Sequence, residues 1–552
     1  MNRIILRLAC LMLSALGATA TAADCTMCAV VPHLAYRSQS QNAARELAGW
    51  TDQVNLYDMQ KFYGSFSITP EYTRSFKPNA INQSLFGSSL YDCKQLKIKG
   101  MGVPTRNATK DLAAEYFYMS NNFAGEINFA PRIQNMLVDF NLYFGLDNWA
   151  PGVYARIHAP AVWTKWDLNA TEHVWNEGLS AGATGFPGVW ATGTKESLLT
   201  RFFDYSCQEF VPTAQWNTAD NRAQVAYPLT AAKICPCSKR AAGLSDIQAD
   251  LGWNYSWEKY HLGFFLRAVA PTGNRPTGEY LFEPIIGNGK HWELGGGLTG
   301  HAIMWESQDQ ARTLGMYVDA NLTHMFKSHQ QRVFDITGYG PLSRYMLLFK
   351  QPLNAPYTLS PAANLTRQNV DVSVGLHADV VAMITYASYN TTWDIGYNFW
   401  GRSCEKICLN SCVCNDCSLG LDINDKTWSR ASSTADIHNA TATTNNGSTP
   451  APLTACDLDI NGARTKGLSH KIFTHIGYSW LEHHDWIPFV GLGLEGEFGS
   501  NSGLKCCTQN TNTTATTCCT NSCNNNCGKT NCCCNAASLS QWGIWVKGGV
   551  SF

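Results

Sequence analysis

The chain has 552 residues, of which 45% are hydrophobic, 12% aromatic and only 15% charged, against roughly a quarter charged in ordinary soluble domains. So much apolar and aromatic material excludes a disordered chain. Lys+Arg number 41 against Asp+Glu 42, so no excess of cations exists to neutralise phosphates and nucleic acid is not an expected partner. Twenty-two cysteines are far too many for a compartment that keeps thiols reduced, so the chain is expected to be exported.

Residues 1–23 carry Arg3 and Arg7, then a short apolar stretch from Leu8 to Leu16, then the small-residue sequence Ala20-Thr21-Ala22. This is the pattern of a cleaved secretory signal peptide, too short for a spanning helix. No cysteine stands where a lipid anchor requires one. Residues 24–60 are expected to form a periplasmic N-terminal segment. No later run of 18 apolar residues exists, so no transmembrane helix is expected.

From there the chain alternates. Strands are predicted near 61–75, 122–146 (with a bulge at Gln134-Asn135), 150–163, 246–257, 260–270 and 290–304. Six more are predicted near 312–326, 370–387, 391–401, 469–481, 485–498 and 539–552. In the second, Val138, Phe140, Leu142 and Phe144 alternate with Asp139, Asn141 and Tyr143. In the fourth, Leu251, Trp253, Tyr255 and Trp257 alternate with Asp250, Gly252, Asn254 and Ser256. Successive strand side chains point to opposite faces, so each run has one apolar and one polar face.

A soluble sandwich would alternate in the same way, but three features favour a membrane barrel. The runs are about 11–14 residues long, whereas soluble strands average about 5–6 and membrane-spanning strands need about 9–11. The apolar face carries Trp, Leu and Phe throughout, while the other carries charge and glycine. Connections also alternate strictly: 147–149, 258–259, 305–311, 388–390 and 482–484 are short, whereas 76–121, 164–245, 271–289, 327–369, 402–468 and 499–538 are long. Short periplasmic turns and long outer loops are the arrangement of outer-membrane barrels. Trp149, Trp257, Tyr260, Trp305, Tyr389, Trp393, Trp480 and Trp486 flank the short turns, where an aromatic girdle belongs. The expected fold is therefore all-β: a closed antiparallel transmembrane β-barrel of about twelve strands (fourteen being the alternative), over residues 61–552, with long disulfide-rich outer loops.

The last strand places Trp542, Ile544, Val546, Val550 and Phe552 on one face. This ending resembles the C-terminal assembly signal of bacterial outer-membrane barrels, in which a terminal aromatic and alternating apolar residues are read by the assembly machinery. The resemblance implies a Gram-negative outer membrane, with its lipid and that machinery as partners. A large barrel rich in cysteine also resembles, in composition alone, the cysteine-rich major outer-membrane porins of chlamydia-like bacteria.

The cysteines avoid the predicted strands. Cys25 and Cys28 precede the barrel; Cys93, Cys207, Cys235 and Cys237 lie in the first two long loops. Cys404, Cys408, Cys412, Cys414, Cys417 and Cys456 lie in the fifth. Cys506, Cys507, Cys518, Cys519, Cys523, Cys527, Cys532, Cys533 and Cys534 lie in the sixth. The last two loops are rich in Asn, Thr and Ser and have little to bury, so covalent staples are their expected source of order. A Zn²⁺ or Cu(I) site at Cys412, Cys414 and Cys417 is the alternative. Without Cys10 the cysteine total is odd, which points to a bond with a second copy or to a free thiol.

The polar face would line a lumen with Asp139, Asn141, Arg156, His158, Asp250, His261, Arg267, Glu293, His301, Asp319, Lys471, His475, Glu495, Glu497 and Lys547. Mixed charge along a wet lining suits passive diffusion of small hydrophilic solutes or ions. In a twelve-strand barrel that lumen is narrow and open to filling. The apolar run Tyr345-Met346-Leu347-Leu348-Phe349 either folds inward as a constriction or packs against other loops. A structural envelope protein or adhesin is the second reading. A hydrolase is the third: His158, His261, His301 and His475 are available, but no serine stands in a nucleophile context. His483-His484-Asp485 reads as a solvated turn. No enzyme activity and no cofactor are expected.

Overall fold

Twelve long strands in the computed structural model pair antiparallel with their neighbours in sequence, and the last pairs with the first. The structure describes residues 31, 33–51, 53–55, 62–179, 198–207, 216–217, 222–257, 259–350, 357–409, 428–429, 435–440, 453–482, 486–500 and 534–552. The strands are β1 (Tyr63–Ser75), β2 (Arg132–Gly145), β3 (Val153–Asp167), β4 (Ile247–Trp257), β5 (Tyr260–Ala270) and β6 (Glu293–Glu306). They continue with β7 (Arg312–Val333), β8 (Arg367–Ser388), β9 (Thr391–Arg402), β10 (Thr465–Ser479), β11 (Ile487–Gly499) and β12 (Gln541–Ser551). Closure comes from β1 against β12, with Glu71 opposite Trp545 and Tyr72 opposite Ile544. A closed sheet has no free edge, so its main-chain hydrogen bonds are met within the ring.

The direction of the side chains follows the alternation. Phe140 is 41% exposed while its neighbours Asp139 and Asn141 are buried on the inside. Leu251 and Leu266, paired across β4 and β5, are 56% and 68% exposed on the outside. Asp250 and Arg267, their neighbours in sequence, are buried within. All eight girdle aromatics lie exposed beside the short turns, joined by Phe552. Among the described residues no helix is long and apolar enough to cross a membrane.

The second and seventh strands differ most from the sequence reading. The second strand begins at Arg132, not 122, and pairs without a register shift at Gln134-Asn135. Residues Ala124–Asn128 instead pair with Gln95–Lys99 and Thr171–Asn176 in a separate sheet above the barrel. Pro131 lies at this break and has no N–H to donate to a ladder. β7 and β8 run on past the wall to 22 residues each, with register shifts near Met325.

The long loops form a folded cap. Leu85, Phe86, Leu96, Tyr116, Phe117 and Phe202 pack with Leu281, Phe282, Tyr345 and Leu347 in one apolar core. The run from Tyr345 to Phe349 lies in that cap, Tyr345 beside Phe117 with ring centroids 6.5 Å apart, and Leu347–Lys350 pairs with Tyr357–Pro361. It packs among loops and does not constrict the lumen. Apolar burial also orders part of the fifth loop, where Trp428, Ile437, Leu453 and Leu458 are buried; staples are not its only support.

Burial shifts one acid of the cap strongly. Glu115 is fully buried and accepts a hydrogen bond from the Met101 amide at 2.7 Å. Burial pushes its carboxyl up to about 7. An acid raised on folding adds stability below its unfolded value and loses it as pH rises through the folded one. The cap is therefore expected to exchange amide hydrogens faster at pH 8 than at pH 5 around residues 95–119, and Glu115→Gln should flatten that difference. An unchanged pH profile in the variant would remove Glu115 as its source.

Candidate functional site: the occupied lumen

The N-terminal segment does not lie in the periplasm over its described part; it runs down the inside of the barrel. At the loop end the Val31 amide donates to the Ser84 carbonyl at 2.9 Å and the Ala35 amide to the Ala537 carbonyl at 3.0 Å. At the short-turn end the Asn55 amide donates to Tyr143 Oη at 3.1 Å. Between them sits one short helix, α1 (Ala43–Leu47), capped by Asn42, whose Oδ1 accepts from the Arg45 amide at 3.2 Å.

Shape and charge hold the segment together. Ala43, Ala44, Leu47 and Ala48 pack on Val381, Met383, Phe473 and Trp545 of the wall. Below them Trp50 enters a ring of inward aromatics, Tyr63, Tyr143, Tyr154, Phe265 and Phe489, and its Nε1 donates to Ser65 Oγ at 2.7 Å. Gly49 has φ +67°, a conformation that favours glycine. A Cβ there would come within 2.2 Å of the His475 ring.

Two arginines of the segment meet the carboxylates of the wall. Arg37 Nη2 donates to Asp379 Oδ1 at 2.7 Å and to Asn398 Oδ1 at 2.5 Å; its Nη1 donates to Glu497 at 3.2 Å. Arg45 bonds Asp139 Oδ2 from Nη2 at 2.9 Å and from Nε at 3.1 Å, and also bonds Glu71. Glu46 lies 3.4 Å from His158 and 3.8 Å from Arg267. Lys547 Nζ donates to the carbonyls of Glu46 at 3.0 Å and Ala48 at 2.7 Å. Asn42 donates to Glu495 at 3.1 Å, and the Gly49 amide to Asp394 at 2.8 Å.

The residues expected to line the lumen all face inward. Asp139 and His158, 3.2 Å apart, meet the segment beside Arg45, and Asn141 is buried on the same face of β2. Arg156, Asp250, Arg267 and Asp319 form a cluster, with Arg156 2.7 Å from Asp250 and 3.5 Å from Asp319, and Arg267 2.7 Å from Asp250. Lys471 bonds Glu495 at 2.8 Å and lies 3.9 Å from Glu497, while His475 lies 3.2 Å from Asp394. Glu293 accepts from Thr323 at 2.7 Å and lies 3.1 Å from His377, which contacts Gln41 of the segment at 3.0 Å. His261 and His301 stand apart, touching each other, with Tyr317 stacked on His301 at 5.2 Å. Sequence reasoning missed Arg37, Arg45 and Glu46, and with them the wall residues Glu71, Asp379 and His377.

Trp542, Ile544, Val546 and Phe552 face outward as the assembly signal requires, with Val550 half-buried beside them. Cys404 bonds Cys534, tying the start of the fifth loop to the end of the sixth across 130 residues. Cys93 and Cys408 are disulfide-bonded too. Cys207, Cys235 and Cys237, expected in disulfides, are free thiols. The signal peptide, Cys25, Cys28, Cys412, Cys414, Cys417, Cys506, Cys507, Cys518, Cys519, Cys523, Cys527, Cys532, Cys533 and His483-His484-Asp485 lie outside the described residues, as does the side chain of Cys456.

The class this geometry defines is a closed twelve-strand barrel, apolar outside and polar inside, with its lumen occupied by the segment that precedes it. No known family profile and no curated protein matches the chain. Among solved structures it is similar to an outer-membrane channel of Pseudomonas putida F1, at 8% identity over 89% of this chain and 96% of that one, with a TM-score of 0.31. It is also similar to a FadL homologue of Pseudomonas aeruginosa, at 8% identity over 89% and 90% with a TM-score of 0.27. The transport unit of the autotransporter AIDA-I of Escherichia coli matches at 8% identity over 92% and 96%, with a TM-score of 0.22. Likeness this distant carries no functional argument; the fold rests on the strand pairing itself.

Proposed function

We propose that the chain is an outer-membrane channel for passive diffusion of small hydrophilic solutes or ions, closed in this state by residues 33–55. One observation carries the reading: a polar, charged lumen whose groups are bonded to the segment that precedes the barrel and not only to one another. A barrel needing only a filled core would do as well with apolar packing, since buried ion pairs are a weak source of stability. The test is conductance with ion selectivity in planar bilayers, on the refolded, oxidised protein. Rare stepwise openings that become frequent when the segment is loosened support the channel. Silence in both states sinks it.

The apolar exterior is read as the lipid contact, with the short turns in the periplasm and the cap outside. Leu251→Arg is then expected to lower folding stability in lipid vesicles by about 2–4 kcal/mol, the cost of a basic side chain near the middle of a bilayer. A variant as stable as the parent would argue against lipid there. The last strand is proposed as the handle for the assembly machinery. The folded cap favours a second role as an adhesin or structural envelope surface, which is compatible with a pore, and an intermolecular disulfide between copies belongs to that role. We propose no enzymatic activity: His158 and His475 face carboxylates, and His261 faces His301, and among the described residues no serine bonds to any of the four.

A further inference from the structure

Three thiols are gathered in the cap, while the other cysteines whose side chains are described are bonded. Cys93, Cys404, Cys408 and Cys534 are in disulfides, while Cys207, Cys235 and Cys237 are not. Cys207 ends the helix Phe202–Cys207, and its Sγ is 3.2 Å from the Ile234 carbonyl. Cys235 Sγ is in turn 3.8 Å from the Ser206 carbonyl, and the Ile234 amide donates to Ser206 Oγ at 2.6 Å, so Cys207 and Cys235 lie side by side, with Cys237 two residues on. Cys207 is half-buried, Cys235 buried and Cys237 exposed, so the line from Cys207 through Cys235 to Cys237 opens to solvent at Cys237.

The surroundings suit thiolate chemistry. Lys233 and Lys239 flank the line, with Lys239 Nζ 3.7 Å from the centre of the Tyr280 ring and Lys233 Nζ 3.9 Å from Glu279. The hydrogen bond from Cys207, helped by the two lysines, holds the Cys235 thiol below its ordinary value, while the same contact raises Cys207. A thiolate beside cations is the form that attacks disulfides.

We propose that Cys237, Cys235 and Cys207 form a thiol–disulfide exchange site whose substrates are small external disulfides. Cys237 gives its proton to solvent and attacks one sulfur of a disulfide RSSR, forming Cys237–S–S–R and releasing RS⁻. Cys235 attacks the Cys237 sulfur, releasing the second RS⁻ and leaving a Cys235–Cys237 bond. Cys207 then attacks the Cys235 sulfur, so Cys207–Cys235 forms and Cys237 returns as a thiolate. Two thiols are oxidised, one RSSR is reduced, and the protons of Cys207 and Cys235 end on the two RSH products. The reverse sequence passes the bond back to external thiols.

The test is a titration of the full-length, refolded chain in glutathione buffers of graded ratio, read by alkylation and mass spectrometry. Cys207 and Cys235 are expected to switch together between alkylated and bonded within that range, while Cys404–Cys534 stays closed. Cys237→Ser should slow the switch severalfold without moving its midpoint, and Cys207→Ser should stall at Cys235–Cys237. Three thiols alkylated at every ratio, a pair bonded at every ratio, or an unchanged rate in Cys237→Ser would each overturn the proposal.

Discussion

Arg45→Ala is expected to convert a mostly silent channel into a frequently open one. Arg45 is 1% exposed and holds Glu71 and Asp139 of the adjacent strands β1 and β2 together with the Gln39 carbonyl, 3.0 Å from its Nη2. Without it Glu71 remains buried and unpaired against the segment, and Asp139 keeps only its ion pair with His158. Removing one partner of a buried pair typically costs about 3–5 kcal/mol. Part of that loss falls on the docked state alone, because a withdrawn segment leaves both acids to water. Each 1.4 kcal/mol is a tenfold change in an equilibrium, so open probability should rise by about a hundredfold or more. Equal open probability in variant and parent would end the view of this segment as a closure. A complementary variant guards against simple misfolding. Ser38 Oγ and Ser245 Oγ lie 3.4 Å apart, one on the segment and one at the head of β4. Ser38→Cys with Ser245→Cys should lock the channel shut when oxidised and release it on reduction.

Loss of the Cys404–Cys534 bond should have the largest effect on stability. The bond follows β9 and precedes β12, and it encloses 130 residues including β10 and β11. Loop-closure entropy for a ring of that size corresponds to about 4–5 kcal/mol. Cys404→Ser is expected to lower the urea midpoint of the oxidised, detergent-solubilised protein and to expose residues 453–468 to protease while the barrel still resists. Identical midpoints would mean that the apolar packing of Leu453 and Leu458 alone fixes that loop.

The wall was legible because period two is written into each strand by the same contrast, Asp139 against Phe140 or Asp250 against Leu251. The number of strands and the direction of their side chains followed from it. The plug was not legible, because residues 33–55 have no periodicity and α1 is a single turn. Its partners are also remote: Asp139 is 94 residues beyond Arg45, and Glu497 is 460 beyond Arg37. A signal did exist in the imbalance of the inward face. Glu71, Asp139, Asp379, Asp394, Glu495 and Glu497 meet the segment, against Arg267, Lys471 and Lys547 from the wall. Buried acids in such excess require cations from elsewhere in the chain. The inward aromatics were hidden for another reason. Phe265, Phe473 and Trp545 fall on the polar face of their strands, where alternation predicts small or wet residues, and they are explained only by Trp50 and α1 packing on them. The cap lay beyond reach because its sheets join strands from different loops, which no local pattern announces.

The path of the segment has a bearing on how the molecule is made. It descends from the cap to the short-turn end and only then turns up into β1, whose edge is sealed by β12. A ring already shut offers no lateral slot, and the cap blocks its mouth. Residues 33–55 either take their place before the final seam zips or thread upward through the short-turn end, the way in and out left to a finished cylinder.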